Sequence, residues 1–211
     1  MSILLKAVGQ APELVGVDIG PQEVARAREF GIYSALHVTS ADTIPEPNAA
    51  FDWAFEGTLA EVARVLRPDG RFILTVPSSE FRACLRGPLR GSRARYLAEI
   101  DRRLAHLRYW TYAEWRSTLS CHGFAMETCT GHLSRSWVRR WEAISGLTAG
   151  ILYRLSGRPP IEIQRDLGLR RGQRLARGLA VAAAHLLVAN ARRAGRAPQG
   201  FRYIVARRLE R

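Results

Sequence analysis

Hydrophobic positions in the first third of the chain alternate between short β-branched runs and segments with helical spacing. Leu14–Asp18, LVGVD, is such a run, and it ends in an acid that is followed by Gly20 and Pro21. This order predicts a strand, a turn and then a helix, because proline is favoured in the first turn of a helix. We expect the helix to end near Gly31, since glycine readily adopts the left-handed backbone that closes many helices.

Two more short strands are predicted along the same segment, at Ser34–Val38 and at Phe51–Phe55. The residues between them, Ser40–Asn48 with the sequence SADTIPEPN, are rich in turn-forming types and indicate a loop. Leu59–Leu66 then carries apolar residues at the spacing of one helix face, which favours a helix.

The strand expected next is the most apolar of the series. Residues 67–70, RPDG, end the preceding helix, and Arg71–Val76, RFILTV, is almost continuously hydrophobic. A continuous apolar run is typical of a strand that is buried on both faces, as in a parallel sheet. The alternation of strands and helices therefore predicts an α/β fold with a Rossmann-like, mostly parallel sheet.

The second half of the chain has a different character. Arg82–Ser120 is predicted to be mostly helical, with one helix over Trp110–Leu119 that Thr111 caps. A strand is expected at Gly123–Cys129, and Gly200–Arg207, GFRYIVAR, is expected to be the last strand.

A long helical segment separates those two strands. We therefore divide the chain into a core, formed by residues 1–133 with the last strand at 200–208, and a helical insertion at 134–199. Apolar residues recur in the insertion every three or four positions, at Trp137, Trp141, Ile144, Leu147 and Ile151. Such a stripe packs against the core or against a second copy of the chain in a homodimer, whereas the flanking Arg139 and Arg140 also suit a helix at a membrane surface.

The charge is unusual for a chain of this size. The 211 residues include 32 basic and 19 acidic ones, which gives a net charge of +13, and Lys6 is the single lysine. The arginines are scattered among apolar residues, and no zinc finger or RNA-binding signature accompanies them. Nucleic acid is therefore not an expected partner.

Cysteine usage and hydropathy bear on the compartment. Cys84, Cys121 and Cys129 contain no C-x-x-C pair, which predicts thiols, with neither disulfides nor a metal site. No run reaches the roughly 20 apolar residues that a membrane span needs, and no signal peptide is recognisable. We expect a cytoplasmic protein, with peripheral contact at the inner face of the membrane if the insertion is interfacial.

Three segments belong together by their order and spacing: VGVDIGPQEVARAREFG, SADTIPEPNAAFD and EVARVLRPDGRFILTVPS. In combination they resemble the class I S-adenosylmethionine-dependent methyltransferases, in particular the broad small-molecule methyltransferase family. The resemblance covers about residues 1–124 and the last strand. It implies S-adenosylmethionine as the cofactor and a methyl acceptor that is a small molecule, a lipid or a glycan precursor.

The resemblance also implies a cofactor site at the carboxyl ends of the strands, where doubly wound sheets bind ligands. Asp18 would accept both ribose hydroxyls, with Ile19 as an apolar wall for the adenine. Asp42, with Ala41 beside it, would accept from the adenine amino group, and Phe55 completes the set. The alternatives are a turn or helix cap for Asp18 and a solvated loop acid or Asx-turn for Asp42.

Two departures from the family pattern fall on this site. The family opens with an apolar strand and a glycine-rich loop, whereas Met1–Pro12 here looks like the helix that follows that loop. The segment after Phe55 is also shorter than the family's. We therefore expect a sheet that is incomplete at its amino terminus and a weakened grip on the cofactor, unless a partner chain supplies the strand.

Methyl transfer requires in-line positioning of the acceptor and, for hydroxyl or amine acceptors, sometimes a base. His106, His122 and His132 are the candidate bases, and His106 is the first choice because the family places substrate contacts in this segment. The predicted substrate contacts are Pro77, Ser78, Tyr109 and Trp110. The competing hypothesis is a non-catalytic, methyltransferase-like protein that binds a membrane surface or a protein partner.

Overall fold

The computed structural model describes residues 13–88, 90–147 and 199–210. Within these ranges the strands β1 to β6 are Val15–Asp18, Ala35–Val38, Phe51–Phe55, Leu66–Pro77, Phe124–Ser134 and Gln199–Arg208. The helices α1 to α6 are Pro21–Arg28, Leu59–Val65, Phe81–Cys84, Arg93–Leu104, Tyr112–Cys121 and Arg135–Leu147. The predicted opening segment Met1–Pro12 lies outside the described residues.

The strands form two hydrogen-bonded sheets in the part of the chain that the structure describes. One contains β1 and β2, which pair in parallel from Val15 opposite Ala35 to Asp18 opposite Val38. The other has the strand order β3-β4-β6-β5, and β3 pairs with β4 in parallel. The predicted α/β fold with a mostly parallel sheet is confirmed.

The chain divides into two compact units, and strands β4, β5 and β6 each contribute residues to both. The described part of the first unit comprises residues 13–74, 116–128 and 205–210. Its buried apolar side chains come from three helices and from three strands: Val24, Val62, Val65, Leu66, Phe72, Ile73, Leu74, Leu119, Phe124 and Ala206. Phe72 of β4 and Phe124 of β5 pack with their ring centroids 5.6 Å apart.

Strand β4 begins earlier than its sequence predicts. We expected RPDG to end the helix as a turn, with the strand starting at Arg71, but β4 already starts at Leu66. Phe51 pairs with Leu66, and Trp53 pairs with Arg71. Between these two pairs β4 contains more residues than β3, so β4 bulges there. Asp69 adopts a φ of 62° in the bulge and accepts from Arg207 of β6. The long-range ion pair and the bulge thus hold the RPDG residues within the sheet.

The second unit contains the described residues from 75 to 115, apart from residue 89, together with 129–147 and 199–204. Its core is built on α3, α4 and α6 and consists of Phe81, Cys84, Leu85, Ile100 and Val138. The Glu142 carboxylate of α6 accepts from the backbone N–H groups of Arg86 and Gly87, at 2.7 and 3.1 Å. It also accepts from the Tyr96 hydroxyl of α4. This carboxylate therefore joins α6 to α4 and to the loop between α3 and α4.

The first part of the predicted insertion packs in this core. Val138 is buried and Trp141 is partly buried against the same cluster, whereas Arg139 and Arg140 point to solvent. For α6, packing against the protein's own core is therefore what the structure describes. Residues 148–198, including Ile151, lie outside the described residues, so the boundaries of the insertion and its contact with a membrane or a second copy stay predictions.

Helix α5 begins at Tyr112 rather than at the predicted Trp110, and Thr111 caps it as expected. The Thr111 hydroxyl and backbone N–H both donate to Glu114 at 2.7 Å, and the Glu114 N–H donates back to the Thr111 hydroxyl at 3.3 Å. This reciprocal arrangement is a capping box, which satisfies backbone donors that the first turn leaves unpaired. Among the described helices, none combines the length and the hydropathy that crossing a membrane requires.

Candidate cofactor and catalytic sites

The two predicted cofactor acids follow neighbouring parallel strands. Asp18 is the last residue of β1 and stands opposite Val38, the last residue of β2. The Thr39 N–H donates to the Asp18 backbone carbonyl at 3.0 Å, so the two strands end at one edge. Asp42 lies in the loop that leaves β2 at this edge. The parallel pairing therefore brings both acids to the carboxyl edge of the β1–β2 sheet, as their sequence positions predict.

One carboxylate oxygen of Asp18 is used by the protein and the other is available. Oδ1 accepts the Gly20 N–H at 2.7 Å, and a Cβ at position 20 would lie only 3.1 Å from that oxygen. The side chain is exposed, and Oδ2 accepts no hydrogen bond from the described residues. Asp18 thus acts as a turn cap through one oxygen and can accept from a ligand through the other.

Large apolar side chains are exposed at strand ends in the same unit. Ile19, directly after Asp18, is 78% exposed, and Val38 at the end of β2 is 52% exposed. Phe55, at the end of β3, is 38% exposed. Single exposed apolar side chains are common on protein surfaces, so these exposures show an apolar surface at the strand ends and do not by themselves identify a ligand.

Asp42 is exposed and is held by local hydrogen bonds. Its carboxylate accepts from the Ser40 side chain and from the Thr43 hydroxyl, the latter at 3.3 Å. These bonds, the one from Ser40 first, lower the pKa of Asp42 below its usual value. The carboxylate is consequently an anionic acceptor at neutral pH, and it fits the solvated loop acid rather than the Asx-turn, because the Ile44 N–H that an Asx-turn would use donates to Glu61.

The loop that contains Asp42 is held by an arginine that was not among the predicted site residues. Arg64 of α2 donates to the carbonyls of Ile44 and Glu46 and to Oδ1 of Asn48, each at 2.8 Å. Arg64 also forms an ion pair with Glu61 on its own helix. Oε1 of Glu61 accepts the Ile44 N–H at 2.7 Å. The bonds from Arg64 and Ile44 lower the pKa of Glu61 to about 2. The only feature of the sequence that indicates a contact of Arg64 is the Glu-x-x-Arg spacing, which places it beside Glu61 on one helix face.

Two further contacts fasten the same loop. The Thr58 hydroxyl, at the start of α2, donates to the Ala41 carbonyl at 3.1 Å and makes no cap bond to its own helix. Nε2 of His37 on β2 lies 2.9 Å from Oε1 of Glu46. The loop that contains the predicted cofactor residues Ala41 and Asp42 is thus held by hydrogen bonds to β2 and to α2.

In the second unit, His106 belongs to a polar cluster. Its Nδ1 lies 3.1 Å from the Tyr109 hydroxyl, which donates to the Asp101 carboxylate. Arg82 donates to the other Asp101 oxygen, and its guanidinium carbon lies 4.6 Å from the centroid of the Tyr109 ring. Burial lowers the pKa of His106, and the nearby Asp101 opposes that shift. Burial and the bond to Asp101 raise the pKa of Tyr109.

The other two candidate bases have different surroundings. Nδ1 of His122 lies 2.8 Å from the Thr118 carbonyl, a bond within one helix and the turn that follows it. His132 has a buried Nδ1 without a hydrogen-bond partner among the described residues, and burial lowers its pKa. Of the three, His106 is the one that the described residues link through side chains to a carboxylate.

The remaining predicted substrate contacts differ in accessibility. Ser78 is 1% exposed, and its hydroxyl donates to the Gln199 carbonyl at 2.5 Å and accepts the Glu80 N–H at 3.2 Å. The Ser78 hydroxyl therefore links the segment that follows β4 to the start of β6. Trp110 packs edge-on against Trp115 at 4.7 Å. The part played by these residues toward a substrate stays a prediction.

The described residues place no three His, Cys, Asp or Glu side chains together as a metal site would require. The predicted site residues form two groups, each within one unit. Asp18, Ile19, Ala41, Asp42 and Phe55 lie in the first unit, and Pro77, Ser78, His106, Tyr109 and Trp110 lie in the second.

Comparisons with known proteins relate the chain to others by structure. No protein-family profile matches the sequence, and no curated protein matches it. The [4+2]-cyclase SpnF is 21% identical with a TM-score of 0.52, over 98% of this chain and 70% of its own. Geranyl diphosphate methyltransferase in complex with S-adenosylmethionine is 16% identical with a TM-score of 0.53, over 99% and 73%.

A third similar structure is an S-adenosylmethionine-dependent methyltransferase from Mesorhizobium loti. It is 17% identical with a TM-score of 0.51, over 98% of this chain and 85% of its own. At these identities the likeness concerns the fold alone. The chain has the fold of the class I S-adenosylmethionine-dependent methyltransferases.

Proposed function

We propose that this protein is an S-adenosylmethionine-dependent methyltransferase that acts on a small molecule. The observation that carries the proposal is the Asp18 carboxylate, which ends β1 at the sheet edge with one oxygen unengaged by the described residues. Ligands of open α/β sheets bind at this edge, outside the carboxyl ends of the strands.

The residues at the edge fit the adenosine half of the cofactor chemically. A ribose diol presents two hydroxyl donors, and an exposed carboxylate such as that of Asp18 is an acceptor-only group that can take them. An adenine ring presents an apolar face and an amino donor, for which Ile19 and Asp42 offer an apolar surface and an acceptor.

The protein's contribution to the reaction is binding and orientation. When bound, S-adenosylmethionine supplies a methyl group already activated by its sulfonium. Asp18 and the exposed apolar side chains would fix the adenosine, while Arg64 holds the loop of Asp42 in place through bonds to Ile44, Glu46 and Asn48. A positioned ligand converts a bimolecular step into an effectively unimolecular one, which lowers the barrier of the reaction.

The reaction needs a test that separates it from other chemistry on this fold, because the fold alone does not fix function. A structurally similar protein is a [4+2]-cyclase, and a cycloaddition transfers no methyl group. We would incubate the protein with S-adenosylmethionine and a panel of phenols, amines and carboxylic acids, and measure S-adenosylhomocysteine formed in step with the methylated product.

We expect acceptor-dependent formation of S-adenosylhomocysteine that Asp18→Asn lowers and Glu29→Gln leaves unchanged. Asparagine keeps an oxygen for the Gly20 N–H, so the turn survives this substitution. Glu29 is an exposed carboxylate just after α1 and controls for the loss of one charge. Turnover that is insensitive to Asp18→Asn would remove Asp18 from the site, and bound cofactor without turnover on any acceptor would contradict the proposed activity.

A further inference from the structure

The end of helix α4 determines where His106 lies. Ala105 has a φ of 53°, and the N–H groups of Ala105 and His106 donate to the carbonyls of Arg102 and Asp101 at 3.4 and 2.9 Å. This pair of bonds is a Schellman motif, in which the chain reverses over the last turn of the helix. The motif places His106 directly after the helix and binds its backbone to Asp101, the residue whose side chain anchors the polar cluster.

One placement of the protons satisfies the hydrogen bonds among Asp101, Tyr109 and His106. Asp101 also pairs with the Arg82 guanidinium, and an ionised carboxylate can only accept, so the Tyr109 hydroxyl gives its single proton to Asp101. The oxygen of Tyr109 is then an acceptor toward His106. Nδ1 of His106, 3.1 Å away, must therefore carry the proton of that contact.

This arrangement leaves Nε2 of His106 as the basic nitrogen. In a neutral imidazole one nitrogen is a donor and the other is an acceptor, and the partner of one fixes the role of the other. Nε2 makes no hydrogen bond with the described residues, and it is not among their buried, unpaired atoms. It can therefore meet solvent or a ligand.

The aromatic surroundings keep the ring in one orientation. His106 packs edge-on against Phe81, Tyr109 and Phe201, with ring centroids 5.1, 5.6 and 5.9 Å away. The charged and titratable side chains recorded around it are Asp101 of α4, Arg82 of α3 and Tyr109 of the loop after α4. Burial among these rings lowers the pKa of His106, so the imidazole is neutral at pH 7 and able to accept a proton.

We propose that Asp101 and Tyr109 are positioning residues that fix His106 in its Nδ1–H tautomer and so present Nε2 as a proton acceptor. This gives Tyr109 a different part from the substrate contact that its sequence position predicts. The tautomer follows from the hydrogen bonds alone, whereas its use in catalysis rests on the proposed function.

In that use, Nε2 of His106 would take the proton from the hydroxyl or ammonium group of a methyl acceptor. The cofactor would supply the methyl group: the acceptor's heteroatom would bond to the methyl carbon, the bond from that carbon to sulfur would break, and S-adenosylhomocysteine would leave. The proton would then pass from the imidazole to solvent. The imidazolium would keep its Nδ1–H bond to Tyr109, and the Asp101 carboxylate beyond it would partly offset the new charge. General bases of this kind contribute about 10²–10⁴-fold to a rate.

The tautomer can be read directly by long-range ¹H–¹⁵N correlation spectra of the five histidines at pH 7. The His106 signals are assigned by their loss in His106→Gln. We expect Nδ1 of His106 to be protonated and Nε2 unprotonated in the unsubstituted protein. In Tyr109→Phe, which removes the acceptor for Nδ1–H, and in Asp101→Asn, which weakens the anchor for the tyrosine proton, we expect the opposite tautomer to increase.

His122 is an internal reference, because its Nδ1–H is held by the Thr118 carbonyl in every variant. Tyr112→Phe, at an exposed tyrosine outside the cluster, is the matched control and should leave the His106 signals unchanged. An Nε2–H tautomer for His106 in the unsubstituted protein would overturn the proposal. The same holds for a His106 tautomer unchanged in Tyr109→Phe while the His122 signals report an intact fold.

The spectra need neither cofactor nor acceptor, so their outcome is independent of whether the protein transfers methyl groups. Where turnover is measurable, we expect His106→Gln to lower kcat by about 10²–10⁴-fold. Tyr109→Phe should lower kcat less and leave KM nearly unchanged, because Tyr109 acts through His106. A His106→Gln variant with unchanged kcat would limit the arrangement to a structural role.

Discussion

Nη2 of Arg64 and Oε1 of Glu61 lie 2.6 Å apart on the face of α2 that meets the loop of Asp42. The pair has the same sequence spacing as Glu23 and Arg26 on α1, which lie 3.1 Å apart. Helix pairs at this spacing contribute little to stability on their own. What distinguishes Arg64 is its set of bonds to backbone and side-chain oxygens across the loop.

Arg64→Ala should therefore affect the loop more than a typical surface substitution does. We expect a lower midpoint of thermal unfolding and amide hydrogen exchange at Ile44 that is about tenfold faster, since the Glu61 carboxylate that holds this N–H loses its partner. Arg26→Ala removes an arginine from an equally spaced pair without loop contacts and is the control. Equal effects of the two substitutions would contradict the role given to Arg64.

Ala105→Gly should stabilise the protein. Alanine at a φ of 53° is in the left-handed region, which glycine adopts without the steric cost of a Cβ. We expect a gain of about 0.5–1 kcal/mol in the free energy of unfolding. Ala98→Gly, at an exposed position inside the same helix, should instead cost about 1 kcal/mol. Denaturant unfolding measures both, and a loss of stability in Ala105→Gly would count against the described helix end.

The sequence predicts the parts of the fold that local patterns determine. The spacing of Phe51–Phe55 predicts β3 with its observed bounds, and the Thr111 cap of α5 is confirmed by its capping box with Glu114. Strand β5 instead continues past Cys129 to Ser134, because β6 from far along the chain lies beside it in the sheet. Nothing in the local sequence records that pairing.

The contacts of the candidate sites were harder to predict for a related reason. Asp18 ends β1 and Asp42 lies in the loop after β2, and parallel pairing was enough to bring them to one edge. Arg64 binds mostly backbone carbonyls, which have no residue signature in the sequence. The link between Asp101 and His106 depends on a left-handed alanine, where propensity favours glycine.

Substitutions of two phenylalanines in the first unit should distinguish an effect on stability from an effect on cofactor binding. Phe72 of β4 is 1% exposed, and Phe72→Ala should cost about 3–5 kcal/mol in the free energy of unfolding. Phe55 of β3 is 38% exposed, and Phe55→Ala should cost about 1 kcal/mol or less while weakening the binding of S-adenosylhomocysteine. Unfolding curves and calorimetric titration give the two quantities, and unchanged binding in Phe55→Ala would exclude this side chain from the site.

Acidification should destabilise the fold through two partly buried histidines, His132 and His106. Burial lowers the pKa of His132 in the folded state, whereas the unfolded chain takes up the proton near the ordinary value of about 6.5. Between the folded-state and unfolded-state pKa values of His132, the unfolded state therefore binds more protons than the folded state. The stability that the neutral ring contributes is present above pH 6.5 and is lost as the pH falls through the folded-state pKa.

Unfolding midpoints at pH 7.5 and 5.5 test this effect. We expect the midpoint of the unsubstituted protein to fall between the two, and that of His132→Leu to fall less, because leucine has no proton to gain. His106 contributes in the same direction, so some acid sensitivity should remain in the variant. An identical fall in both proteins would show that His132 is not the source.

Calorimetric titration with S-adenosylhomocysteine tests the central claim most directly, because it measures the cofactor site without any methyl acceptor. The protein, Asp18→Asn and Glu29→Gln would be titrated under the same conditions. We predict binding that Asp18→Asn weakens by about 30- to 100-fold, since a ribose hydroxyl loses its anionic acceptor, and that Glu29→Gln leaves unchanged. Equal affinity in the protein and in Asp18→Asn, or no binding to the unsubstituted protein, would contradict the account.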